Sequence, residues 1–179
     1  MTKRHKVFVS YHHANDEWYR DQFEMLCLQA DIAVMRSVQI GDIDPNLKTE
    51  TIRQKIRDEY LADSTVTVVL IGTQTWQRKH VDWEIGSSIR QTQNSSRSGL
   101  LGICLPSYPL VNGGYNPHTI PPRLYDNVQA GFAEIYGWST NPADIQSWIH
   151  AAFERRLKVD PNNSRDSFGR NWTDKISWQ

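Results

Sequence analysis

Glu84 is the acidic residue of this chain with the strongest claim to chemistry. It lies in Lys79-His80-Val81-Asp82-Trp83-Glu84-Ile85, early in a segment where Val81, Ile85 and Ile89 recur at helical spacing. One position from Ile85, its side chain flanks the buried stripe rather than pointing fully to water. A carboxyl in the first half of a helix, beside Trp83 and a cleft, is a candidate functional acid. The competing reading is a solvated helix glutamate near Arg78, Lys79 or Arg90, and residue types alone leave both open. Ser10, Tyr11 and His12 end the first predicted strand and bring a hydroxyl, a phenol ring and an imidazole to one strand terminus. Each has a plain alternative: a hydroxyl bonded to backbone, a packed ring, a loop histidine. Trp76 and Trp83 can stack on a flat heterocycle, although most of the seven tryptophans are expected to serve packing. Asp82 and Arg78 read as surface residues of the same helix.

These side chains need a frame, and the apolar pattern supplies one. Val7 to Tyr11, Ile32 to Met35, Thr65 to Ile71, Leu100 to Leu105 and Phe132 to Tyr136 read as short strands, the last at an edge. Helices are predicted between them. Tyr19, Phe23, Leu26 and Cys27 form one stripe, with Asn15 or Asp16 as its cap. Ile52, Ile56 and Tyr60 form a second, Trp76 to about Gln93 carries the third, and Ile145, Trp148, Ile149, Ala152 and Phe153 form the last. Strands alternating with helices give right-handed crossovers and a parallel sheet. The expected fold is α/β and flavodoxin-like, five mainly parallel strands with helices on both faces. Ligands of such sheets bind at the carboxyl ends of the strands, here Ser10 to His13, the loop Ser37 to Pro45, and Gly72 to Glu84. Residues 1–160 make one domain with a Pro/Gly-rich insert at 106–122. Residues 161–179 are a polar tail that either packs back through Phe168, Trp172 and Trp178 or stays loose.

Composition excludes several classes. Lys plus Arg and Asp plus Glu are each 20, so the net charge is zero. That argues against binding nucleic acid or an anionic membrane surface by charge alone. The longest apolar run, Val66 to Ile71, is too short to span a bilayer, and no secretory leader is recognisable, so a cytoplasmic protein is expected. Cys27 and Cys104 sit far apart in apolar contexts and read as buried free thiols. The central strand ends Leu70-Ile71-Gly72-Thr73, without the acidic residue of a phospho-acceptor receiver. Ser10-Tyr11-His12-His13 is too bulky for a flavin phosphate loop, and no nucleotide-binding glycine motif occurs. No Cys, His or paired carboxylate stands at ligand spacing, so no metal site is expected.

Three motifs, Lys6-Val7-Phe8-Val9-Ser10-Tyr11, Thr67-Val68-Val69-Leu70-Ile71-Gly72-Thr73-Gln74-Thr75-Trp76 and Val81-Asp82-Trp83-Glu84-Ile85, together resemble the TIR-like proteins of the Thoeris anti-phage defence system. The resemblance spans roughly residues 4–105 in order and spacing. It implies a flavodoxin-like TIR domain that cleaves the nicotinamide–ribose bond of NAD with one glutamate on the helix after the central strand, and Glu84 falls on that position. It further implies a cyclic ADP-ribose isomer made on infection, a phage-derived trigger, a separate effector protein that reads the signal, and possible self-association. NAD is then a substrate, with no cofactor. Ser10, Tyr11, His12, Trp76 and Trp83 are the candidate NAD-binding residues. The family often carries an aromatic residue four before the glutamate; here that residue is His80. A non-catalytic TIR assembly module and a nucleoside deoxyribosyltransferase-like enzyme are the alternatives.

Overall fold

The computed structural model describes residues 4–36 and 48–179. The expected loop Ser37 to Pro45 lies outside them. Five strands, β1 (His5–Ser10), β2 (Ala33–Arg36), β3 (Val66–Ile71), β4 (Gly99–Cys104) and β5 (Ala133–Gly137), form one sheet in the order β2-β1-β3-β4-β5. Every pairing is parallel. The helices are α1 (His13–Gln29), α2 (Thr49–Lys55), α3 (Lys79–Ser88), α4 (Pro122–Gln129) and α5 (Pro142–Arg155). This is the α/β flavodoxin-like architecture expected from the pattern.

The two-residue period of the strands sorts side chains between two helix layers. Val7, Val9, Val66, Val68, Leu70, Leu101 and Ile103 pack with Phe23 and Cys27 of α1 and Ile145, Ile149 and Ala152 of α5. The alternate positions Val69, Ile71, Leu100 and Cys104 pack with Val81 and Ile85 of α3 and Leu124 of α4. Phe8 also turns to that second side, against Ile52 and Ile56. Ser10, two residues beyond Phe8, therefore projects toward α3. Register puts Ser10 opposite Val69, so β1 and β3 end side by side where the strand order reverses. Gly99 is required by the packing of α5: a Cβ there would stand 2.2 Å from the Ala152 carbonyl oxygen.

Beyond shifts of one or two residues at strand ends, three stretches depart from the pattern, each for a local reason. Helix α1 starts earlier, at His13, because the His12 carbonyl accepts the Asn15 and Asp16 amides at 3.2 and 2.9 Å; Asp16 is buried instead of capping. The segment from Trp76 breaks into a 3₁₀ turn (Thr75–Gln77) and α3, because Arg78 is extended. Pro106 to Pro122 holds its own structure: the Tyr108 hydroxyl joins the Asn116 amide and the Thr119 hydroxyl, both at 2.9 Å. Pro122 then opens α4 at a position where its missing N–H costs nothing. Both cysteines are buried and free, as expected.

Asp82 overturns its assignment to the surface. It is 2 % exposed and forms a forked ion pair with Arg123, itself 0 % exposed, at 2.8 and 3.3 Å. Residues 161–179 complete the pair's coordination. The Phe168 amide donates to Asp82 at 3.0 Å, and Arg123 donates to Asn163 Oδ1 and the Arg165 carbonyl at 2.8 Å. The tail is thus fastened over α3 and α4, and Phe168 stacks on Trp172 with ring centroids 3.9 Å apart. Removing one member of a buried, bonded ion pair strands the other charge. Asp82→Ala is therefore expected to lower the unfolding free energy by about 3–5 kcal/mol in urea titration. An apolar replacement of both residues is expected to recover most of that loss.

Candidate active site

The site is built where β1 and α3 meet. On α3, residues 80 and 84 are one turn apart and share a face. Val81 and Ile85 anchor the helix in the apolar layer, and that anchoring draws Glu84 inward with them. Glu84 is 2 % exposed, and its carboxyl accepts a hydrogen bond from the Ser10 hydroxyl. Burial pushes the Glu84 pKa up from 4.5 to about 8, with the Ser10 bond pulling the other way. The group is therefore largely protonated at neutral pH. Among the described residues no Lys or Arg pairs with Glu84: Arg90 pairs with Glu50, and Lys79 lies over the Trp83 ring at 5.2 Å.

Histidines surround this carboxyl. The His80 Nε2 donates to the Tyr11 carbonyl at 3.1 Å, tying α3 to the β1–α1 junction. Burial pushes His80 down to about 4, so its ring is neutral. His13 stacks on Tyr11 at 4.4 Å and meets His80 edge-on at 5.0 Å. One ligand atom from each of His13, His80 and Glu84 lies within 4.8 Å of the others. His12 is 5 % exposed, with Nδ1 buried and unbonded among the described residues, and burial lowers its pKa. Asp16 is buried against the Gly72 backbone, where a Cβ would lie 2.3 Å from its carboxylate, and burial raises it to about 6. A glycine at the end of β3 is what lets that carboxyl reach the strand terminus.

Fold and site together bring Ser10, Tyr11 and Glu84 into one cluster, with His12 at the start of the adjoining helix. The two tryptophans have other described partners. Trp83 donates its indole N–H to the Phe168 carbonyl at 2.9 Å and packs against the cluster of Phe8, Ile52, Ile56 and Leu61. Trp76 is buried, meets Trp172 edge-on, and lines a cavity of about 340 Å³ with Tyr108 and Lys175. His13, His80 and Asp16 were not picked out as site residues by sequence. For His80 a signal existed, its one-turn spacing from Glu84; for His13 and Asp16 only the fold supplies it. The tail also positions α3: Asn171 Oδ1 accepts the Lys79 amide at 2.9 Å, supplying the cap that Arg78 does not.

Comparison with sequence families adds the deciding observation. Residues 8–109, more than half of the chain, match the family described as Thoeris protein ThsB, TIR-like domain. The chain belongs to that family. Membership gives it a place in Thoeris defence, and the match covers the first motif of the resemblance from Phe8 onward and the other two whole, Glu84 included. No curated protein is significantly similar to the chain. Among the described residues no helix is long and apolar enough to cross a membrane.

The buried carboxyl makes stability depend on pH with a definite sign. Unfolded Glu84 ionises near 4.5, whereas the folded group holds its proton to about 8. The contribution is fully present below 4.5 and is lost as pH rises through 8, because the unfolded chain ionises first. Glu84→Gln removes this dependence while keeping an acceptor for Ser10. Relative to wild type, the variant is expected to gain stability between pH 5 and pH 8, by a few kcal/mol in chemical denaturation. Parallel curves at the two pH values would contradict the burial of this group.

Proposed function

We propose that the chain is an enzyme that cleaves the nicotinamide–ribose bond of NAD and closes the remaining ADP-ribose into a cyclic signal read by a separate effector in anti-phage defence. The observation that carries this reading is the Glu84 carboxyl, withdrawn from water and bonded to Ser10 at the carboxyl ends of β1 and β3. Family membership supports the same setting.

The chemistry asks little more than a placed acid. The bond between ribose C1′ and the nicotinamide ring nitrogen breaks, and its electron pair stays with nicotinamide. Because that ring is cationic in NAD, it departs neutral and needs no general acid. The sugar left behind is oxocarbenium-like, the kind of centre that carboxylates stabilise in glycosidases. Glu84 serves as that carboxylate. Its resting proton is no obstacle: a cationic pyridinium beside a desolvated carboxyl favours the ionised form and drives the proton off. Ser10 holds the carboxyl in one orientation, and the Tyr11 ring and His12 line the approach. A nitrogen of adenine or a ribose hydroxyl then attacks C1′ and closes the ring, losing a proton in the hydroxyl case. Exclusion of water decides closure over hydrolysis.

The test compares wild type with Glu84→Gln, first as purified full-length chain with NAD and then in lysates of phage-infected cells. Wild type is expected to release nicotinamide and to make a small molecule that switches on the effector. Glu84→Gln is expected to lose at least about 100-fold of both. Equal signal from the two proteins would overturn the assignment. Nucleoside exchange without NAD loss would select the transferase alternative. A normal effector response with no small molecule would select an assembly module.

A further inference from the structure

We propose that His13, His80 and Glu84 form a binding site for Zn²⁺ at the mouth of the buried carboxyl. Two imidazoles and one carboxylate are a ligand set that suits this ion, leaving further positions for water or substrate. The three contributing atoms lie within 4.8 Å of one another, although 66 residues of chain separate His13 from His80. Tetrahedral Zn²⁺ with bonds of about 2.0–2.1 Å holds its ligands roughly 3.3–3.5 Å apart, so closing the site requires a movement of about 1–1.5 Å. His13 can supply it, being exposed at the first turn of α1.

The surroundings of the three residues, more than their proximity, mark a site. A histidine that ligates a metal generally donates its other ring N–H to a carbonyl or carboxylate, which fixes ring and tautomer. His80 does this already: Nε2 donates to the Tyr11 carbonyl, so Nδ1 carries the lone pair. A ligating carboxylate is likewise generally hydrogen-bonded on one side. Glu84 receives the Ser10 hydroxyl on Oε2, which leaves Oε1 for an ion. His13 is oriented by its stack on Tyr11. Each ligand therefore has an outer partner, and all three partners are supplied by Ser10 and Tyr11 at the end of β1. An ion held here engages the same carboxyl that NAD cleavage uses. On the reading given under Proposed function, it acts as an inhibitor that NAD must displace.

Binding and activity are read separately on the full-length, chelator-treated chain. Titration calorimetry with Zn²⁺ and visible spectroscopy with Co²⁺ are expected to show an ion in four- or five-coordinate nitrogen–oxygen surroundings. His13→Ala and His80→Gln are each expected to weaken binding at least tenfold. His80→Gln keeps a donor for the Tyr11 carbonyl, and melting curves check that both variants fold. Should His80→Gln unfold, the exposed His13→Ala carries the test. His150→Ala controls for the other imidazole pair, His5 and His150, whose nitrogens stand 3.1 Å apart. It is expected to leave this site's affinity unchanged. Affinity lost in His150→Ala and kept in His13→Ala and His80→Gln overturns the site, as does absence of binding. Zn²⁺ bound through His13 and His80 by a protein that never consumes NAD upholds the site and rejects the enzymatic reading. NAD cleavage with affinity unmoved in both His variants does the reverse.

Discussion

A carboxyl removed from water must either give up its charge or be met by positive charge or strong donors. That constraint, applied to Glu84, organises this molecule. One hydroxyl, Ser10, meets the carboxyl, and no cation is bonded to it among the described residues. One hydroxyl does not repay the loss of hydration, so the group holds its proton up to about 8. The contrast with Asp82 is instructive, because the two acids are two residues apart on one helix and equally buried. Asp82 faces Arg123 and the Phe168 amide, which give it a full set of partners. The fold thus satisfies one acid of α3 and leaves its neighbour wanting a positive charge.

That difference rests on residues far from either acid. Asp82, Trp83, Gly86 and Lys79, spread along α3, are all bonded to the segment 161–179. Together these bonds hold the axial position and rotation of a helix only ten residues long. A short helix has little stability of its own and depends on its contacts. Rotation of α3 by one residue would trade Glu84 for its neighbours at the Ser10 hydroxyl. The tail is in this sense part of the site's frame, although none of its residues belongs to the His13, His80 and Glu84 cluster.

The strands and the helix layers on both faces of the sheet were legible because burial on two faces leaves a strong trace. Val66 to Ile71 is uncharged and, apart from Leu70, β-branched, and only a central strand fits it. Glu84 was legible in part: its place beside Ile85 showed that it flanks the core, but not that it is fully enclosed. Asp82 was misjudged because a charged residue mid-helix reads as solvated unless its partner is known. That partner, Arg123, lies 41 residues on, in a segment whose prolines masked α4. The histidine grouping was invisible for the same reason. His13 and His80 meet only because β1 and β3 are neighbours in the sheet, and pairing of strands is not written in ligand spacing.

Three positive charges can answer the need at Glu84: a proton, a metal ion and the pyridinium of NAD. On the readings proposed above, they would compete for one carboxyl and differ in what else they require. The proton requires nothing more, which makes it the resting occupant at neutral pH. Zn²⁺ requires two neutral imidazoles, and burial keeps His80 neutral to about pH 4. The pyridinium requires a flat surface and loses its charge as the bond breaks. Of the three, only the pyridinium would have its charge moved by the proposed reaction, from the ring nitrogen to the sugar carbon. In that reaction a carboxyl bonded to Ser10 and facing that carbon would gain attraction as the charge moves toward it, and such an increment accelerates a reaction where equally tight ground-state binding does not. A site preorganised to want a cation, and left without a built-in one, is therefore suited to a substrate that generates positive charge within it.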